Sequence, residues 1–222
     1  MLKWTLRYYA SFVDSITIYD NQSTDGTAAV IGACPKACRI PYDTGGLIRD
    51  FLHVEIKSNF KPDADWRILI DTDELFWHPD GLRPYLEKCT KEGITFPQVS
   101  GWDMIGDGWP QDDGKSQLWQ LVRHGVRRDI YAKRCVVGRQ VETLNYLPGC
   151  HVCNPTGVVV PSPSAEIRLL HYKWLNPKWT MERMTKTKEK EMPPGIGDIG
   201  FRNLEEEWAY YERSNKEKIQ IT

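Results

Sequence analysis

The sequence predicts an α/β protein with a mostly parallel sheet flanked by helices. Two segments carry that expectation. Arg67-Ile68-Leu69-Ile70 is a short apolar run that ends abruptly in Asp71-Thr72-Asp73-Glu74, and buried parallel strands look like continuous Ile/Leu runs. Ser15-Ile16-Thr17-Ile18-Tyr19-Asp20 is a second β-rich run closing on an acid, followed by the turn-forming Asn21-Gln22-Ser23-Thr24-Asp25-Gly26-Thr27. From there strand-like and helix-like stretches alternate to about residue 99, the pattern of a sheet covered by helices.

The elements are expected in the following order. Leu2-Lys3-Trp4-Thr5-Leu6-Arg7-Tyr8-Tyr9 has amphipathic spacing and predicts a helix over 2–12. A strand at 15–20 leads through a capping region at Ser23 to Asp25 into a helix over 25–32. A short strand at 36–42 precedes the Asp43-Thr44-Gly45-Gly46 turn, and a helix over 46–58 leads to the strand at 66–71. The 81–92 stretch places Leu82, Tyr85, Leu86 and Cys89 on one helical face, and 94–99 reads as a strand. Gly, Trp and Asp then dominate 101–114, the composition of a long functional loop. Strands are expected at 130–137 and 165–170. Two charged helices follow at 177–191 and 203–218, separated by Pro193-Pro194-Gly195-Ile196-Gly197, whose glycines suit a lid.

Composition fits one domain over 1–222. Hydrophobic residues make up 41%, ordinary for a globular chain. The 29 basic and 30 acidic side chains leave a net charge of -1, which excludes the basic footprint of a nucleic-acid binder. No apolar run approaches the roughly 20 residues that span a bilayer, and the N-terminus lacks the pattern of a secretory signal. The expectation is a cytoplasmic protein with no integral membrane segment. Cys34-x3-Cys38 and Cys150-His151-Val152-Cys153 have spacings a zinc site can use, but reduced, buried or half-buried thiols are the stronger reading. Cys89 and Cys135 read as core.

Asp71 and Asp73 sit one residue apart on an extended backbone and point the same way. They repel unless neutralised, and a hard divalent cation is the usual partner. The segment from Tyr19 to Thr27, YDNQSTDGT, resembles the DNGSTDGT element of family-2-like glycosyltransferases with the GT-A fold, and Leu69-Ile70-Asp71-Thr72-Asp73-Glu74 resembles their metal-binding DxD strand. Gly45-Gly46-Leu47-Ile48-Arg49-Asp50 is similar to the stretch that packs on the nucleotide. The resemblance covers residues 4–80 well and the remainder loosely. It implies a GT-A (nucleotide-diphospho-sugar transferase) sheet lacking the strand that usually precedes the first helix. It divides the chain into a nucleotide-binding half (1–100), an acceptor half (101–176) and C-terminal helices (177–222).

The activity implied is transfer of a sugar from a nucleotide sugar, UDP-linked by preference, to a glycan, lipid or protein acceptor. Mn²⁺ or Mg²⁺ stabilises the diphosphate leaving group. By the same resemblance Asp71 and Asp73 belong to the metal site, Asp73 binding the ion directly and Asp71 also reaching the ribose or a metal-bound water. His171 in Arg168-Leu169-Leu170-His171-Tyr172-Lys173-Trp174 is a further metal ligand. Lys173 lies near the diphosphate, and Asp20, Asn21 and Arg49 belong to the nucleotide site, with Asp20 accepting from a ring N–H such as that of uracil. Glu74 orients its loop, Asp25 serves turn and cap chemistry, and His151 lines the acceptor cleft.

An inverting enzyme needs a carboxylate base. Asp103 is the first choice, ahead of Asp107, Asp112, Asp113 and Glu142. Trp102 and Trp109 read either as sugar-stacking platforms or as core. Blander readings stand beside the sharp ones: His171 as a satisfied core histidine, Arg49 as a solvated helix arginine, the two aspartates as a surface cluster. Trp179, Met181, Met184, Leu204, Trp208 and Tyr211 form stripes that fit core packing better than a membrane surface, because the opposite faces mix acid and base. The rivals are a nucleotidyltransferase, which wants a Gly-rich phosphate loop near the N-terminus, and a non-catalytic nucleotide- or carbohydrate-binding protein on the same fold.

Overall fold

A computed structural model describes residues 1–45, 50–188 and 203–222. Its elements in chain order are α1 (Leu2–Ala10), β1 (Ile16–Asp20), α2 (Thr27–Gly32), β2 (Ala37–Pro41), α3 (Asp50–Asn59), β3 (Trp66–Ile68), β4 (Glu74–Trp77) and α4 (Leu82–Lys91). There follow β5 (Val99–Ile105), α5 (Leu118–Leu121), β6 (His124–Arg127), a 3₁₀ turn (Asp129–Tyr131), β7 (Val136–Gly138), β8 (Ile167–Trp174), α6 (Pro177–Lys188), α7 (Leu204–Glu217) and β9 (Ile219–Gln220). The protein is thus mixed α/β. It divides into two compact units, one of Met1–Ile48, Met104–Gly125 and Lys173–Thr222, the other of Arg49–Asp103 and Val126–Tyr172. The expected halves follow chain order; these units do not.

In the first unit α1 buries Trp4, Leu6, Tyr8 and Tyr9, and Tyr8 meets Tyr9 and Phe12 edge-on at 5.0 and 5.2 Å. The edge of one ring against the face of another is the preferred aromatic geometry. Strands β1 and β2 pair in parallel, from Ile16 opposite Ala37 to Asp20 opposite Pro41, with α2 as the crossover. A parallel pair requires such a connection. Further along, Ile105, Trp174 and Tyr211 form a buried cluster against which Met181 and Tyr210 pack. Helix α7 opens on Asn203, whose side chain accepts from Glu205 N, and carries three glutamates in its first turn where the helix dipole favours negative charge. Strand β9 then pairs antiparallel with the start of β6, His124 opposite Gln220 and Gly125 opposite Ile219.

In the second unit β3 runs antiparallel to β7 with Arg67 opposite Val137, and β4 runs antiparallel to β8 with Glu74 opposite His171. Strand β8 lies between β4 and β5. Helix α4 buries Leu82, Tyr85, Leu86 and Cys89, the face its spacing predicts. Leu75, Phe76, Val136, Leu169 and Leu170 are sealed from solvent.

Two expectations are corrected. The sheet is not mostly parallel: β1–β2 is parallel, whereas β3–β7, β4–β8 and β6–β9 are antiparallel. Strand β4 takes its partner from β8, far along the chain, instead of from a neighbour reached through a crossover helix. The strand expected at 94–99 is displaced, and residues 101–105 lie in β5 rather than in a loop. Gly101, Trp102 and Asp103 read as loop chemistry. All of β5 except Trp102 is buried, however, and a strand buried on both faces shows no alternation.

Strand β4 itself is hidden in the sequence behind the acidic run. Of the C-terminal stripes, Met181 and Tyr211 pack inward while Trp179 and Trp208 are exposed. Among the described residues no helix is long and apolar enough to cross a membrane.

Candidate functional site

The acidic run forms a closed turn between β3 and β4. Glu74 is 1% exposed; its Oε2 accepts from Asp71 N at 3.0 Å, and Glu74 N donates back to Asp71 O at 3.2 Å. Glu74 therefore orients the loop, as its position implies. Tyr172 N donates to Asp73 O at 2.7 Å, which extends the β4–β8 ladder by one residue and sets Asp73 beside His171. The His171 Nδ1 lies 2.9 Å from Asp103 Oδ1, so that nitrogen carries the proton and donates to the carboxylate. The opposite nitrogen, Nε2, lies 3.8 Å from Asp73 Oδ2. That separation is too long for a hydrogen bond and short enough for two ligands of one cation. Burial disfavours charge on the His171 imidazole, but Asp103, Asp73 and Glu74 outweigh it and raise its pKa.

The charge of Asp71 is neutralised by lysines. Its Oδ1 lies 2.7 Å from Lys57 Nζ and its Oδ2 lies 2.6 Å from Lys133 Nζ. Lys133 also reaches Glu74 Oε1 at 2.6 Å, with only 6% of its side chain exposed. Asp71, expected to ligate a metal, thus gives both oxygens to ammonium groups, and the repulsion that called for a cation is relieved by the chain itself. Packing around Asp71 works the other way, yet Lys57 and Lys133 hold its carboxyl well below the usual range. Burial would lower the Lys133 pKa, and Glu74 and Asp71 raise it instead. Burial, reinforced by the Lys133 charge, pushes His151 down to about 4, so its ring is neutral at pH 7.

Neither lysine stands out in the sequence. Lys133 precedes an apolar run, which is a faint hint of burial. No spacing rule connects it to Asp71, 62 positions away.

Asp103, the expected base, is fully buried on β5 and bound to His171. A carboxylate so placed holds the ring and is closed to solvent. Asp20, Asn21 and Lys173, expected at the nucleotide, lie in the first unit. Asp20 is buried; Ser23 N donates to its Oδ1 at 3.2 Å and Arg39 closes on Oδ2 at 2.6 Å. Asn21 donates to Thr44 Oγ1 at 2.9 Å and accepts from Thr44 N at 3.1 Å, tying the turn after β1 to the segment after β2. Lys173 is held by the buried Glu207 at 2.8 Å.

Asp25 accepts from Thr27 N at 2.9 Å, as turn chemistry requires. Asp112 pairs with Lys3 and Arg7 at 2.9 and 2.7 Å, and Asp113 is occupied by Ser116 and Lys115. Trp109 is exposed and meets Trp179 edge-on at 5.4 Å, whereas the Trp102 indole donates to Ser100. Arg49 and the glycine-rich segment at 193–197 lie outside the described residues.

The six cysteines are free thiols, with Cys89 and Cys135 in the core as expected. Among the described residues no group of three His, Cys, Asp or Glu side chains is arranged to hold a metal ion. Asp73 and His171 offer two donor atoms. Comparison with protein-family models gives no match, and comparison with curated proteins gives none either.

Proposed function

We propose that the chain is a metal-dependent glycosyltransferase of GT-A type, moving a sugar from a UDP-linked donor to a glycan, lipid or protein acceptor. The observation that carries this reading is the Asp73–His171–Asp103 array at the end of the DTD turn. A histidine that donates one ring N–H to a buried carboxylate and turns its other nitrogen toward a second carboxylate is oriented as metal-binding histidines are. Two protein donors suit Mg²⁺ or Mn²⁺, which are usually held by one or two side chains plus substrate phosphates rather than by an all-protein cage. Asp73 and His171 would hold the ion, and the ion would supply positive charge to the diphosphate as it departs.

The chain's own residues prepare that place. Asp103 fixes the His171 tautomer. Glu74 and Lys133 fix the turn, and Lys57 keeps Asp71 ionised with about half of its side chain (49%) open to solvent, where the ribose role falls. The preference for uridine rests on the resemblance of residues 19–27, since Asp20 spends its oxygens on Ser23 N and Arg39, and Asn21 spends its amide on Thr44.

Titration calorimetry of UDP, GDP and CDP, with and without Mn²⁺, tests the reading. Metal-dependent binding of UDP is expected, weakened at least tenfold (about 1.4 kcal/mol) in Asp73→Ala. Equal affinity in the variant would overturn the metal assignment.

A second reading is a nucleotide- or carbohydrate-binding protein without catalysis. It is favoured by the burial of Asp103 and by the engagement of Asp112 and Asp113, which leave none of these acids placed as a base. Product formed from UDP-sugar and an acceptor separates the two.

A further inference from the structure

Arg67 stands in β3 opposite Val137 and is 7% exposed, yet no carboxylate among the described residues pairs with it. Its Nη2 donates to Val141 O at 2.9 Å, while its Nε–H is sealed from solvent and has no acceptor. A guanidinium carries five N–H donors in a rigid fork. Burying one without a counter-charge is costly, so such a group calls for a partner. Burial draws the Arg67 pKa down.

Arg67 is one of the residues that line a cavity of about 250 Å³. Three cations (Lys61, Arg67, Arg139) and two acids (Asp63, Glu142) line it with Val137 and Val141. Arg139 is already matched by Asp63 at 3.1 Å and Asp65 at 3.5 Å. Arg67 and Lys61 are then the lining cations that have no ion pair among the described residues, while Asp63, Asp65 and Glu142 equal the three cations in number. None of Asp71, Asp73, Asp103 or His171 borders this space.

We propose that the cavity is a binding site for a compact oxyanion, a carboxylate or phosphate group seated on the Arg67 guanidinium. The planar fork matches either group bidentately. Valine walls suit a small ligand with little polar surface beyond its anionic head. The volume lies below the roughly 300–1,000 Å³ of ordinary small-molecule sites. The site therefore takes a small acid and not a nucleotide, and it stands whether or not the chain transfers sugars.

The test follows the arginine Nε–H resonances of the full-length protein by ¹H–¹⁵N correlation. Inorganic phosphate and malonate are titrated separately at constant ionic strength, with sodium chloride as the reference. One Nε–H signal, absent from the spectrum of Arg67→Lys and joined by NOEs to Val141, is expected to shift saturably with at least one anion. The anion that saturates it at lower concentration identifies the source as phosphate or carboxylate. Arg67→Lys keeps the charge but loses the fork, and its affinity is expected to fall at least tenfold. An Arg67 signal unmoved by both anions, or moved equally by chloride, would overturn the proposal. The NOE assignment in the unsubstituted protein keeps the experiment decisive even if Arg67→Lys does not fold.

Discussion

Lys133 bridges two acids that the sequence places in one turn, and its burial makes that bridge expensive to break. Removing one partner of a buried ion pair costs about 3–5 kcal/mol, because the other charge is left unsolvated. Lys133→Met should lower unfolding free energy in urea by that order, and adding Glu74→Gln should recover part of it. A loss under about 1 kcal/mol would show that the bridge does not hold the turn.

His151 offers a second check. Its NMR titration should have a midpoint near 4 rather than near the ordinary histidine value of about 6.5. The folded pKa is depressed, so the stability this residue contributes is fully present above the unfolded value and is lost as pH falls from about 6.5 through 4. The acids of the turn were legible because an apolar run stops against them. Their lysine partners were not, because ion pairing between distant segments leaves no local trace.

At the scale of elements, periodicity was a good guide wherever one face is buried and the other wet. The buried face of α4 coincides with its predicted stripe, and β1, α2 and β2 stand close to their expected places. Patterning failed at β5, where burial on both faces erased the alternation and glycine suggested a loop. Just past that strand, Gly106 N donates to Trp174 O at 3.0 Å, and a Cβ at this position would lie 2.4 Å from Leu175 O. The obstructing atom is backbone, so no rotamer relieves the clash. Gly106→Ala should destabilise by about 1–3 kcal/mol in urea denaturation, as overpacking does. Gly32, with nothing within 4 Å of its virtual Cβ, provides the control: Gly32→Ala should be neutral or slightly stabilising. Similar losses at both positions would refute the packing argument.

For the whole molecule, ligand linkage is the most direct readout. A nucleotide and Mn²⁺ that bind only the folded chain, at a free concentration a hundredfold above Kd, should add about 2.7 kcal/mol to its unfolding free energy. Calorimetric melting checks this; an unchanged midpoint under those conditions would count against a folded-state site. The charge balance and mixed α/β class were legible from composition and alternation, whereas the antiparallel ladders and the division into two units were not. Both depend on widely separated segments finding one another, and no window of sequence contains that pairing.

That division also bears on how the chain is made. The unit that begins first holds residue 1, yet it is completed only by Lys173–Thr222; the unit that begins second is complete at Tyr172. Domains tend to fold as units while synthesis proceeds. On the ribosome, the second unit therefore has all its residues while the first still awaits its last segment. The nascent chain can pair β1 with β2 early, but the Ile105–Trp174–Tyr211 cluster of the same unit cannot close until Lys173–Thr222 has been made.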